Sequence, residues 1–557
     1  MAAGVSLRRS GNLLHLDYTP TPVWREPRFL RHFHECRHMR LRLQLVQEPD
    51  WPPLAWIARC DTSDPVITVR HGPQVETRED WLCEAVWDGE FESGDFDRTD
   101  LVFGSGIRLR ERGVVFVPAG ATVDRLQFLE HQGTIWVSNS MACLLGVTGV
   151  RVDATYDRYF DFFWSVTKGL DGYERRLPTL EGRLEIVFFR NLVWDGAHLS
   201  EEDKPHPLRE LGSFAEYRGF LKASLARVAD NLGSAHRSHR YEMVSSLSSG
   251  YDSTASTVLA HEAGLRRLFS FQTARGGVPD DGEAIARQLG LELAHVNRTS
   301  WRSVPLSEIP YLAVNGAGQD IIFSSASEQL RGRVLISGFD GDRVWGKEMI
   351  HLEPDLSRTS DGGLSFTEHR LQLGCIHVPV PALGARQTRT IKAISNGPEV
   401  APWDVPGDYS RPISRRIVEE AGVPREAFGM HKKAATNHFR RGEAVLTAQT
   451  REAYYGWLRD HERVWREGRV KGTKVPGRAF WAFYRFYCQV GRALRARPYL
   501  VSGRFGAWID RTGYRYYRRL NRRINRADHL FPWAIEELSR VYSDPGEPAR
   551  GDPERIP

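Results

Sequence analysis

The sequence predicts an α/β protein, a parallel sheet with flanking helices preceded by a β-rich region. Three observations predict it. Residues 1–200 carry short alternating apolar runs broken by Gly, Asp and Pro, such as Val114-Val115-Phe116-Val117 and Thr134-Ile135-Trp136-Val137; this is the pattern of strands. From about residue 210 the texture changes to strand, turn and helix in repeated order, which implies a parallel sheet covered on both faces. The length of 557 residues and the apolar fraction of 41% exceed what one ordinary domain needs and supply ample buried cores.

Taken in order, Phe214 to Leu232 places Phe220, Leu221, Leu225, Val228 and Leu232 at helical spacing and reads as an amphipathic helix. Met243–Leu247 is a strand candidate, and Thr254–Ala263 a helix that stops at Gly264. Leu268–Phe271 is a second strand, Glu283–Leu289 a second helix ending at Gly290, and Leu293–Val296 a third strand. Val334–Ile336 is a further strand before a polar, Gly-rich turn. Residues 352–412 are rich in Pro, Gly and polar residues and read as a long insertion over the sheet; the chain from about 413 reads as helical. The domains expected are 1–208, 209–540 and a flexible tail at 541–557.

The net charge of +6 favours anionic ligands without implying nucleic acid. Six scattered Cys without a CxxC pair indicate free thiols in a reducing compartment. The N-terminal MAAGVSLRRSGNLL has no apolar signal region, and no apolar run approaches the ~20 residues of a membrane span. A cytoplasmic protein is expected.

The chemistry concentrates at two strand ends. After Met243–Leu247 comes Ser248-Ser249-Gly250-Tyr251-Asp252-Ser253, with a helix beginning near Ser253-Thr254. In an open parallel sheet ligands bind outside the carboxyl ends of strands. A helix N-terminus there offers backbone N–H groups and partial positive charge to a phosphate. Asp252 makes sense beside phosphate if it holds Mg²⁺. The same turn also fits a plain strand-to-helix junction capped by Asp252 or Ser253. No G-K-[ST] is present, so this is not a Walker A loop. Arg333 to Asp342 repeats the design, with a strand delivering Ser337-Gly338 and then Asp340-Gly341-Asp342. Asp252 and Asp342 across one crevice would form a partial Mg²⁺ shell.

The first hexamer resembles the S-G-G-x-D-S pyrophosphatase loop of the asparagine synthetase family, with Ser249 where Gly is usual. The second segment resembles the family's S-G-x-G-x-D-E. The resemblance implies that Ser248, Ser249, Gly250, Asp252, Ser253, Phe271, Ser337 and Gly338 bind ATP and that Asp252 and Asp342 hold the metal. It departs at Phe339, often Glu or Tyr in the family, and at Arg343, where the family has Glu. A third segment, Ser414 to Gly422 and then Val423-Pro424-Arg425 to Lys432-Lys433, resembles the family helix, turn and R-x-K. It implies a catalytic lysine, Lys433 in the better register and Lys432 second, that stabilises developing charge. The fold implied for this half is adenine nucleotide α-hydrolase-like.

Trp87-Asp88-Gly89-Glu90-Phe91, Trp136 to Leu145, and Arg176-Leu177-Pro178 with Gly182 resemble segments of the family's N-terminal amidotransferase domain. Glutamine hydrolysis there needs a Cys directly after the initiator Met as nucleophile. Here Ala2 and Ala3 stand instead, and the first Cys is Cys36. A degenerate, glutaminase-dead Ntn-amidotransferase-like domain follows, in the manner of β-lactam synthetase and lasso-peptide cyclase. The expected activity is ATP- and Mg²⁺-dependent adenylation of a small-molecule or peptide carboxylate and coupling to a substrate-borne amine, releasing AMP and pyrophosphate. Ammonia-using amidation and a catalytically silent nucleotide-binding scaffold are the alternatives. Neither a membrane nor nucleic acid is an expected partner, and a homodimer is compatible with the sequence.

Two other signals carry less. His32, His34, Cys36 and His38 would share one strand face at ~6–7 Å per step, too spread for one tetrahedral zinc with bonds of ~2.0–2.3 Å. Arg511 to Arg526, with Tyr514, Tyr516 and Tyr517, reads as a solvated helix face or a surface for an acidic partner.

Overall fold

Alternating apolar residues build two β-sheets in the N-terminal part of the chain. The computed structural model describes residues 40–543 apart from 157, 275–276, 350–351, 353–354, 407–408, 431–445 and 462–528. A seven-stranded sheet runs in the order Arg42–Gln47, Asp64–His71, Trp56–Asp61, Thr134–Ser138, Leu126–His131, Arg183–Val187, Arg176–Leu177. A six-stranded sheet runs Leu199–Glu202, Asn191–Trp194, Gly113–Val117, Val102–Arg110, Trp81–Trp87, Glu76–Thr77. Trp56, Ile67 and Val137 of the first pack with Leu82, Ile107 and Phe116 of the second in one buried cluster, so the two sheets lie face to face. Trp81–Trp87 is buried along its whole length, as expected of a strand covered on both faces.

The second half holds a five-stranded parallel sheet. Its strands are β1 (Glu242–Ser246), β2 (Arg267–Ser270), β3 (Glu292–His295), β4 (Arg333–Ser337) and β5 (Ile376–Pro379), ordered β3-β2-β1-β4-β5. Helix α1 (Phe214–Leu232) buries Phe214, Tyr217, Leu221, Leu225, Val228 and Leu232, one stripe at i, i+3, i+4, i+7 spacing. A capping box of Ser213 and Glu216 fixes its start, satisfying two orphan donors reciprocally. Helices α2 (Tyr251–Glu262) and α3 (Glu283–Leu289) follow β1 and β2. Every strand and helix expected between 214 and 337 is present, the helices 214–232 and 283–289 at the expected bounds and the other ends shifted by at most three residues.

Residues 352–412 differ from expectation. They supply β5, the edge strand of the sheet, and helix α4 (Thr367–Leu373) before it. An apolar run as short as Cys375-Ile376-His377-Val378, interrupted by His and followed by Pro379 and Pro381, carries too little periodicity to read as a strand. At the C-terminal end Tyr542, within the expected tail, is buried and meets Trp51 edge-on at 5.2 Å. The His32–His38 stretch, Cys36, Cys488 and the basic Arg511–Arg526 segment lie outside the described residues.

Helix α4 ties the two halves together. Arg370 is buried and bonds Glu84 (2.7 and 3.1 Å) and Asp124 (2.9 Å), both from the β-rich half. Glu368, two residues earlier, accepts from Ser140 Oγ (2.8 Å) and from the N–H groups of Met141 (3.0 Å) and Ala142 (3.4 Å) at the start of the helix Met141–Thr148. A carboxylate at a helix N-terminus satisfies donors that the helix itself leaves open. Cys60, Cys83, Cys143 and Cys375 are buried free thiols, and burial pushes the Cys83 thiol up to about 12. Among the described residues no helix is long and apolar enough to cross a membrane.

Candidate functional site

The order β3-β2-β1-β4-β5 reverses direction between β1 and β4. Such a switch point opens a crevice at the carboxyl ends of the strands. The Ser248–Ser253 turn leaves β1 there, and the Ser337–Asp342 turn leaves β4 beside it.

The first turn is tightly cross-linked. Ser248 Oγ and Ser253 Oγ lie 2.6 Å apart, and Gly250 N–H donates to Ser248 Oγ at 3.1 Å. Thr254 Oγ1 donates to the carbonyls of Gly250 (2.6 Å) and Ser248 (3.0 Å). Gly250 is the N-cap of α2, with φ −80° and ψ 160°, so the helix starts at Tyr251, three residues before the expected Thr254. Ser249 has no positive φ, so its Cβ causes no backbone strain. Ser249 N–H and Oγ both donate to Asp280 Oδ1 at 2.7 Å.

The second turn presses onto the first. A Cβ added at Gly338 would lie 2.4 Å from the Asp252 carbonyl carbon and 2.6 Å from Ser253 N. Asp340 adopts φ +67° to turn the chain. Thr359 Oγ1 donates to Asp342 Oδ2 at 3.1 Å, so the 352–412 segment reaches the site. Ser248, Ser249, Gly250, Asp252, Ser253, Ser337, Gly338 and Asp342 therefore cluster about one crevice. Two half-buried carboxylates suit Mg²⁺, which keeps several waters and shares phosphate oxygens. Among the described residues no group of three or more His, Cys, Asp or Glu is poised to hold a metal ion.

Phe271 reaches the second turn through a chain of aromatic rings. It follows β2, and its ring meets Phe323 at 5.8 Å, which in turn meets Phe339 at 6.2 Å. Phe339 also lies edge-on to His377 at 5.2 Å. His377, on β5, is within 2.7 Å of Ser337 Oγ through Nε2. Burial lowers its pKa to about 4, so the ring is neutral near pH 7. Arg343 is buried and turned away from solvent. Its guanidinium donates to Ser357 O and to Thr388 Oγ1 (2.7 Å), and Nε stands 3.6 Å from Asp340 Oδ2.

Lys432 and Lys433 lie outside the described residues. The chain just before them does reach the site, since Gly429 N–H donates to Ser249 O at 2.8 Å. Gly429 has φ +65°, and a Cβ there would meet the Tyr251 ring at 2.4 Å. Only glycine serves at such a position. Helix Pro412–Glu420 supports it through Arg415, which donates to Tyr251 Oη at 2.6 Å.

Asp280, Thr359 and His377 join the site without having been marked by sequence. Asp280 carried a signal, a Pro-Asp-Asp-Gly turn directly before α3. His377 carried none, because its strand was not legible. In the β-rich half, Trp87 ends its strand, and Asn139 and Ser140 open the helix Met141–Thr148. No protein-family model matches the sequence, and no curated protein matches it.

Proposed function

We propose that this chain is an ATP-dependent, AMP-forming amide ligase of the asparagine synthetase type. In this reading the parallel sheet is adenine nucleotide α-hydrolase-like, and the β-rich half is amidotransferase-like. The observation that carries it is the meeting of two Ser-Gly-Asp turns at the sheet's switch point, with Asp252 packed against Gly338 and Gly341. A single phosphate turn is common, but two opposed turns each bearing a carboxylate suit a nucleotide–metal complex.

The chemistry would run in two steps. A substrate carboxylate oxygen attacks the α-phosphorus of ATP, forming an acyl–O–P bond as the bond to pyrophosphate breaks. A substrate amine then attacks the acyl carbon, AMP leaves, and the amine gives up a proton. The loop donors and the α2 N-terminus hold phosphate oxygens. Asp252 and Asp342 would hold Mg²⁺, which neutralises charge on the leaving pyrophosphate. Lys433 or Lys432 would add a fixed cation. Phe339 accepts no proton, so the amine's proton passes elsewhere.

Isotope exchange between pyrophosphate and ATP, screened against amino acids and peptide acids, tests the first step. Carboxylate-dependent exchange that falls at least about a hundredfold in Asp252→Ala supports it. No exchange with any acid, together with ATP binding unchanged by Asp252→Ala, overturns it. Phe339 favours a second reading, a nucleotide binder without turnover. Turnover lost in Lys433→Ala with ATP binding kept rules that reading out.

A further inference from the structure

Ser249 and Asp280 make the contact that the proposed reaction least explains. The two donors of Ser249, its N–H and its hydroxyl, converge on one oxygen, Asp280 Oδ1, at 2.7 Å each. The next N–H, of Gly250, is taken by Ser248 Oγ. Donors that a strand-end turn offers to phosphate are thus held by acceptors of the protein itself. Glycine at 249 would keep the N–H bond but lose the hydroxyl bond, so the serine doubles the hold on the carboxylate.

Asp280 is anchored at its main chain. Its N–H donates to Gln272 O at 2.8 Å, and its carbonyl accepts from Ser270 Oγ at 3.3 Å. A turn about its side-chain bonds would part the carboxylate from Ser249. Beside it lies a cavity of about 210 Å³ lined by Ser249, Asp280, Asp281, Glu426, Phe428 and Met430, which gives the side chain room to turn.

We infer that Ser249 and Asp280 form a latch on the phosphate loop: the Asp280 carboxylate occupies the loop donors without nucleotide and swings aside when a phosphate takes them. The inference rests on the ATP reading above. Two anions cannot share one pair of donors without strong repulsion, so binding of phosphate and retention of the Asp280 contact exclude each other. The latch lowers affinity for every ligand that uses the loop and does so through charge. Asn at 280 keeps an acceptor but loses the charge-assisted strength of the bond.

Titration calorimetry with Mg·ATP and with Mg·pyrophosphate, on wild type, Asp280→Asn, Asp280→Ala and Ser249→Gly, tests the latch. Mg·ATP is expected to bind about tenfold more tightly to Asp280→Ala, with Asp280→Asn and Ser249→Gly between it and wild type. Pyrophosphate should gain by a similar factor. Should the Asp280 variants misfold, Ser249→Gly decides alone. Wild type that binds ATP, with variants that bind it equally or more weakly, overturns the latch, makes Asp280 a positioning residue, and leaves the ATP reading standing. No ATP binding by wild type or by any folded variant overturns both.

Discussion

The Asp252 carboxylate packs directly on the backbone of Gly341: a Cβ at 341 would stand 2.5 Å from Asp252 Cγ and 2.8 Å from Oδ1. This close approach brings the second turn against the first and sets where the two carboxylates stand. Gly341 has no positive φ, so glycine is needed for space and not for backbone conformation.

Gly341→Ala therefore tests the crevice with one methyl group. The added carbon must displace Asp252 or the β4 turn, an overpacking that costs about 1–3 kcal/mol. A denaturant midpoint should record that loss in a protein that still folds. Mg·ATP affinity should fall by about tenfold, since metal geometry tolerates little displacement. Stability lost with ATP affinity kept would mean that Asp252 holds no metal.

Arg343 is the second test. It stands where the resembled family has Glu, and restoring the acid looks like a repair. The surroundings say otherwise. Its side chain is buried, donates to Ser357 O and Thr388 Oγ1, and faces Asp340. Glutamate there would lack donors and oppose a carboxylate. Arg343→Glu should destabilise the fold by about 3–5 kcal/mol, the usual result of stranding a buried charge, with no gain in Mg²⁺ affinity. Thermal unfolding and Mg²⁺ titration together check it. A stable variant with tighter Mg²⁺ binding would show that the 343 side chain can reach the crevice.

The sequence spoke clearly where chain pattern and physical role coincide. The stripe from Phe214 to Leu232 and the apolar runs at 243–247 and 334–336 are local signals, and each element formed. The Ser-Gly-Asp turns were legible because small residues and carboxylates at strand ends have few uses. What joined them was not. That Gly341 touches Asp252 depends on β1 and β4 being neighbours, a relation between residues some ninety apart. β5 escaped because four residues with a buried His give no period. Its pairing with β4 supplies what the local pattern lacks. The α4 ion pairs escaped for a related reason. Arg370 and Glu84 lie 286 residues apart, and no local rule links them.

His377 gives a pH signature that isolates this long-range part of the site. Burial lowers its pKa to about 4, while in the unfolded chain it titrates near its ordinary 6.5. Between those values the unfolded chain takes up a proton that the folded chain refuses. The stabilisation is full above pH 6.5 and is lost as pH falls toward 4, by about 2 kcal/mol at pH 5. His369, lowered to about 3 by burial, acts in the same direction. Asp320, raised to about 6 by burial, acts oppositely: its stabilisation is present below its ordinary 3.8 and is lost as pH rises through about 6. Both act equally in wild type and in His377→Gln, whose neutral amide retains a partner for Ser337 Oγ. Urea unfolding at pH 7 and pH 5 should therefore show a smaller acid loss in His377→Gln, by about 2 kcal/mol. Equal losses would mean that His377 takes up its proton in the folded protein, and that Ser337 keeps a charged neighbour at the crevice floor under mildly acidic conditions.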